Sequence, residues 1–107
     1  MAEPTLVAHD VEVVNNTDHE RFELWIPGAE RRFVGFLGYR AIAPGVYEVL
    51  HTVIGEAYGR QGYARTLVTK FLEILRSRGA HIVPTCTYVQ DYLERFPQYD
   101  DVVQPRH

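Results

Sequence analysis

The sequence predicts a mixed α/β domain with the element order β-β-β-β-α-β-α, and three observations carry that reading. Four apolar runs rich in β-branched and aromatic residues come first, parted by short polar breaks. One long stripe of helical period follows, with a short apolar run directly after it. A second helical pattern then precedes a plain tail.

The first two strands are expected at "VEVV" and "RFELWI", joined by the turn-forming "NNTDHE". "PGAE" breaks the chain before "FVGFLGYRAI", and "APG" breaks it before "VYEVLHTVI". Connections this short allow only an antiparallel meander. Ala64, Leu67, Val68, Phe71, Leu72 and Leu75 then fall at i, i+3, i+4, i+7, i+8 and i+11, a continuous helical stripe. Arg76 and Arg78 suit the negative end of that helix, and Gly79 suits its stop. The next strand, "AHIVP", lies parallel to the fourth by the crossover rule. In "TYVQDYLERFP", Tyr88, Val89, Tyr92, Leu93 and Phe96 share one helical face, Thr87 and Gln90 stand in capping-box spacing, and Pro97 terminates. The tail "QYDDVVQPRH" shows little pattern.

At 107 residues the chain has the size of one domain, spanning 1–107. Apolar residues make up 46% and charged ones 23%, a globular balance. No run is long enough to span a membrane, and "MAEPTLVAHD" lacks the basic and apolar regions of a signal peptide. The lone Cys86 excludes an internal disulfide and any Cys-pair zinc site, and His9, His19, His81 and His107 show no ligand spacing. A net charge of −3 gives no general attraction for nucleic acid. The expectation is a cytoplasmic protein, monomer or homodimer, with no metal, nucleic-acid or membrane partner.

The stretch "EAYGRQGYARTLVTKFLEILRSRG" places Gly59 and Gly62 where the long helix begins. A helix N-terminus leaves several N–H groups unpaired and carries partial positive charge, so a glycine turn there can receive a phosphate. Arg60 and Arg65 add planar donor forks. The spacing is neither GxxxxGK[ST] nor GxGxxG, which removes most support for nucleotide hydrolysis and hydride transfer.

Gly59-Arg60-Gln61-Gly62-Tyr63-Ala64 resembles the [QR]-x-x-G-x-[GA] signature of the GNAT superfamily of acetyl-CoA-dependent N-acetyltransferases. The first position departs from it, with Gly59 in place and the arginine displaced to Arg60. His51, Thr52, Gln61, Gly62, Pro84, Cys86, Tyr88, Val89 and the "FPQY" of 96–99 follow the order of the small YjdJ-type subfamily, over about residues 11–103. The resemblance implies a minimal GNAT fold, with the parallel fourth and fifth strands splayed to admit pantetheine. It implies acetyl-CoA held by Gly59, Arg60, Gln61, Gly62, Tyr63, Ala64 and Arg65, with the backbone at Val53 and Ile54 aligning pantetheine. An N–H of Ile54 is the expected oxyanion donor.

Acetyl transfer to an amine needs a base, stabilisation of a developing oxyanion and a proton for the departing thiolate. Cys86 precedes the expected N-cap Thr87, where a helix dipole favours thiolate, and the resemblance makes it either nucleophile or pocket lining. His51 and Glu48 on the fourth strand are candidate bases, expected on opposite faces because strand side chains alternate. Glu56 in the following loop is a third. Tyr92, and behind it Tyr88, is the candidate acid on the last helix, although their spacing also suits core packing.

The reading is an acetyl-CoA-dependent N-acetyltransferase acting on a primary amine of a small molecule or polypeptide. The alternatives are an acyl-CoA-binding or protein-interaction module without efficient turnover, and a carrier that acetylates itself on Cys86.

Overall fold

Strand β1 (Glu12–Asn16), β2 (Arg21–Ile26), β3 (Arg32–Ala43) and β4 (Val46–Ile54) pair in succession as antiparallel neighbours. Helix α1 (Tyr63–Ser77) then returns the chain so that β5 (His81–Pro84) lies parallel to β4 at the sheet edge. Helix α2 (Thr87–Arg95) and a 3-10 segment, Pro97–Val102, follow. This computed structural model describes residues 2–105; Met1, Arg106 and His107 lie outside it. The mixed α/β order expected from the sequence is the order found, and no helix among the described residues is long and apolar enough to cross a membrane.

The helical stripe does what its period predicts. Leu67, Val68, Phe71, Leu72 and Leu75 are fully buried against Phe22, Leu24, Leu37 and Val49 of the sheet. The Phe22 and Phe71 rings meet edge to face at 4.9 Å. Each such side chain stabilises the fold by about 1.5–3 kcal/mol. Val89, Tyr92 and Phe96 of α2 join the same core, so both helices cover one face of the sheet. At the end of α1, the N–H of Ala80 reaches the Leu75 carbonyl and that of Gly79 the Arg76 carbonyl, with Gly79 left-handed at φ 65°.

Two local expectations are corrected. The N-cap of α2 is Cys86 itself, not Thr87, and Gln90 turns its amide back to the Pro84 carbonyl at 2.9 Å instead of closing a capping box. The plain-looking tail is ordered by tertiary contact: Tyr99 and Val102 are buried, and Val103 bridges in parallel to Ile82. No local period announces these residues, because an existing core holds them.

Among the described residues no helix covers the opposite face of the sheet. Trp25, Phe33 and Phe36 form a row there, with the Arg31 guanidinium 4.0 Å above Trp25 and that of Arg21 4.7 Å above Phe36. Buried under this row, the Glu23 carboxylate accepts hydrogen bonds from Asn16, Arg21 and Trp25.

Candidate functional site

Strand β4 outruns β5. The two pair only from Val46↔His81 to Val49↔Pro84, where the N–H groups of Thr85 and Cys86 both donate to the Val49 carbonyl. From there β5 turns into α2 while β4 continues to Ile54, and a gap opens between them. Thr52 Oγ1 and Cys86 Sγ face each other across it at 3.6 Å. The N–H of Gly55 points to β3, where it meets the Val34 carbonyl at 2.8 Å. Backbone donors alternate along a strand, so the N–H of Ile54 points into the gap.

A short 3-10 turn, Glu56–Tyr58, leads from β4 to the glycine turn. Arg60 and Gly62 both take left-handed backbone angles, at φ 61° and 92°. At Gly62 that conformation is readily reached only without a side chain. A Cβ there would also stand 3.0 Å from an Arg65 nitrogen. The first helical hydrogen bond of α1 is Thr66 N–H to the Gly62 carbonyl, at 3.0 Å, so Tyr63, Ala64 and Arg65 have no carbonyl four residues back within the helix. Their N–H groups stand at its positive end, and no side chain caps it.

These elements enclose a cavity of about 490 Å³. All seven turn residues expected to hold a cofactor, from Gly59 to Arg65, line it together with Ile54. The sequence places Tyr88 behind Tyr92 as the candidate acid, yet Tyr88 is the α2 tyrosine that lines this cavity. Tyr92 is buried in the core, its hydroxyl 2.7 Å from Thr69 Oγ1. Burial pushes the phenol of Tyr88 up, the Arg65 and Arg95 charges oppose this, and the neighbouring Cys86 adds to it. The side chain of Tyr63 turns away, its hydroxyl 2.6 Å from His9 Nε2, leaving its backbone to the turn. Val53 is exposed on β4, and Glu56 lies outside the cavity.

The expected opposition of His51 and Glu48 is overturned. Gly38 pairs with His51 but Tyr39 pairs with Val49, which leaves Leu50 as an extra residue in β4. This β-bulge resets the alternation, so Val49 and Thr52 face the helices while Glu48 and His51 both face the uncovered side. His51 lies over Gly38, where a Cβ would stand 2.5 Å from its ring, and its edge meets Phe36 at 5.7 Å. Glu48 is clamped by the Thr85 hydroxyl at 2.7 Å and Arg40 at 2.6 Å, which hold its carboxyl below the usual range. No residue pattern marks a bulge of this kind. Cys86 is buried, with 6% of its surface exposed.

Fold and site together define a mixed-sheet domain with a glycine-turn cradle where two parallel strands part. The chain belongs to the GCN5-related N-acetyltransferase family, whose model matches residues 21–102. It is similar to Protein NATD1 of Gallus gallus and of Mus musculus, each 26% identical over 97 residues, which cover 89% of this chain and 86% of the relative. In three dimensions it is similar to a Staphylococcus aureus protein, described as GCN5-like and provisionally as an N-acetyltransferase, whose solution structure was determined by NMR. That match has a TM-score of 0.64 at 20% identity and covers 90% of each chain, a likeness of fold.

Proposed function

We propose that this protein is an acetyl-CoA-dependent N-acetyltransferase, acting on a primary amine of a small molecule or polypeptide. The observation that carries the reading is the turn from Gly59 to Arg65, which presents backbone N–H groups and two arginines beside the gap between β4 and β5. Acetyl-CoA supplies the acetyl group as a thioester.

In this reading each of the three demands of the chemistry falls to one group of the chain. The N–H groups at the start of α1 hold the pyrophosphate, and β4 beyond Val49 has no β5 partner, so Ile54, beside Val53, offers its backbone groups to pantetheine. The Ile54 N–H supports the negative charge that develops on the acetyl oxygen. His51 takes the proton of the attacking amine from the uncovered face, since Glu48 is clamped by Thr85 and Arg40 and its carboxyl is held low. Tyr88, whose phenol lines the cavity and is protonated at neutral pH, gives its proton to the leaving sulfur. The amine N–C bond forms as the C–S bond breaks. Cys86 and Thr52 wall the acetyl end of the gap.

Thermal unfolding with and without CoA and acetyl-CoA tests the site, beside a Gly62→Glu variant. Ligand at 100 times its Kd should stabilise by about 2.7 kcal/mol, a shift on the order of 10 °C for a domain of this size. The shift is expected in the wild type and not in the variant; its absence in both would overturn the reading. Amine-dependent release of CoA across polyamines, aminoglycosides and lysine peptides then separates turnover from binding alone.

A further inference from the structure

Four arginines of the fold sit in ion pairs: Arg21 with Glu23, Arg31 with Glu12, Arg40 with Glu48, and Arg76 with Glu73 and Asp101. Arg60, Arg65 and Arg95 do not, and no carboxylate among the described residues comes within ion-pair reach of them. Arg60 lines the glycine-turn cavity. Arg65 and Arg95 meet at a second cavity of about 120 Å³ between α1 and α2, which shares Arg65 and Tyr88 with the first. Two adjoining hollows are thus lined by three guanidinium groups that stand in no ion pair.

The second hollow is built for something small and anionic. Its volume is well below the roughly 300–1,000 Å³ of a pocket that encloses a drug-sized ligand. Arg95 rests on Phe96, its central carbon 5.3 Å from the ring centroid, so the fork is held partly in place. Arg65 is steadied from the other side, where its Nε donates to the Thr5 carbonyl. Both charges are felt at the Tyr88 phenol, which places a positive field at the mouth shared by the hollows. Asp91 also lines the second hollow, four residues before Arg95 on α2, yet the two form no ion pair. Along α2, Arg95 lies about 10 Å beyond Tyr88. Arg65 belongs to both the glycine turn and the second hollow, so that hollow lies beside the place proposed for the pyrophosphate.

We propose that Arg65 and Arg95 form a second anion subsite that takes a phosphomonoester, which in coenzyme A is the 3′-phosphate of the ribose. The domain thereby selects the 3′-phosphorylated ligand over 3′-dephospho-CoA. The proposal rests on the acetyl-CoA reading above and adds to it the residue that sets this preference.

Titration calorimetry with CoA and with 3′-dephospho-CoA, on wild type and Arg95→Gln, tests it. The wild type is expected to bind CoA about tenfold or more tighter, the worth of one charge-assisted contact. Arg95→Gln should lose that preference while its affinity for 3′-dephospho-CoA stays within about twofold of wild type. Equal wild-type affinity for the two ligands would overturn the subsite and leave the acetyl-CoA reading standing. A variant that weakens both ligands alike would overturn it too. Binding of neither ligand to wild type would remove both proposals. The wild-type comparison needs no variant, so the test does not depend on how well Arg95→Gln folds.

Discussion

Thr52 Oγ1 lies 3.6 Å from Cys86 Sγ, across the gap where β4 continues and β5 has turned into α2. The thiol is therefore a wall of the gap, buried and in contact with a hydroxyl that is no base. Direct transfer from thioester to amine needs nothing more of it. Cys86→Ala is expected to keep acetyl transfer within about tenfold of wild type, with a stability cost of roughly 1 kcal/mol for the lost packing. Intact mass after incubation with acetyl-CoA should show no added acetyl group on the wild type. An adduct that disappears in Cys86→Ala, together with loss of transfer by orders of magnitude, would install Cys86 as the nucleophile instead.

The two tyrosines of α2 divide along the same line between wall and core. Tyr92→Phe deletes a buried hydroxyl that bonds Thr69, and Thr69 keeps its own bond to the Arg65 carbonyl. The expected result is a loss of about 1 kcal/mol of stability, read from denaturant unfolding, with turnover near wild type. Tyr88→Phe should do the reverse, lowering kcat by about 10²-fold with little change in unfolding midpoint. If the two variants exchange these effects, the proton donor is Tyr92.

Glu23 gives the fold a dependence on acid that is separable from the site. Burial by itself would raise its carboxyl, but hydrogen bonds from Asn16, Trp25 and Arg21 outweigh that and hold it below the usual range. A carboxyl lowered in the folded state stabilises it fully above the ordinary carboxylate range, and the contribution is lost as the pH falls through the folded value. Glu23→Gln should therefore lower Tm at neutral pH and flatten its fall on acidification, since Gln carries no proton to gain. Asp101 and Glu48 are also lowered and act in both proteins, so the difference between the two Tm profiles isolates Glu23. Parallel profiles would show that Glu23 is not held below its ordinary range.

The elements were legible where burial has a period. Leu67, Phe71 and Leu75 announce α1 because one stripe must meet one sheet, and the glycine turn announces itself because Gly62 must be left-handed ahead of a helix. What escaped depends on contacts between distant segments. Tyr99 and Val102 fold into a core made by other residues, and Cys86 takes the N-cap because its N–H is drawn to the Val49 carbonyl. The sides of β4 escaped for a sharper reason. Counting alternation from Glu48 assumes an unbroken strand, and the single extra residue Leu50 inverts every position after it.

That inversion decides which side chain meets the amine. With Leu50 in the bulge, His51 stands on the uncovered face with its side chain in no ion pair or hydrogen bond among the described residues, whereas Glu48 beside it is committed to Thr85 and Arg40. A carboxylate held low is a poor proton acceptor, and its protonation would release both partners. His51→Gln is expected to lower kcat/KM for the amine by about 10²–10³-fold with CoA binding retained, because the change lies across the sheet from the turn. Glu48→Gln should cost less than about tenfold in the same measurement and should lower Tm instead, through the loosened link between β4 and the start of α2. The two variants tell the roles apart. A loss of kcat/KM confined to Glu48→Gln, with His51→Gln near wild type, would return the role to the carboxylate.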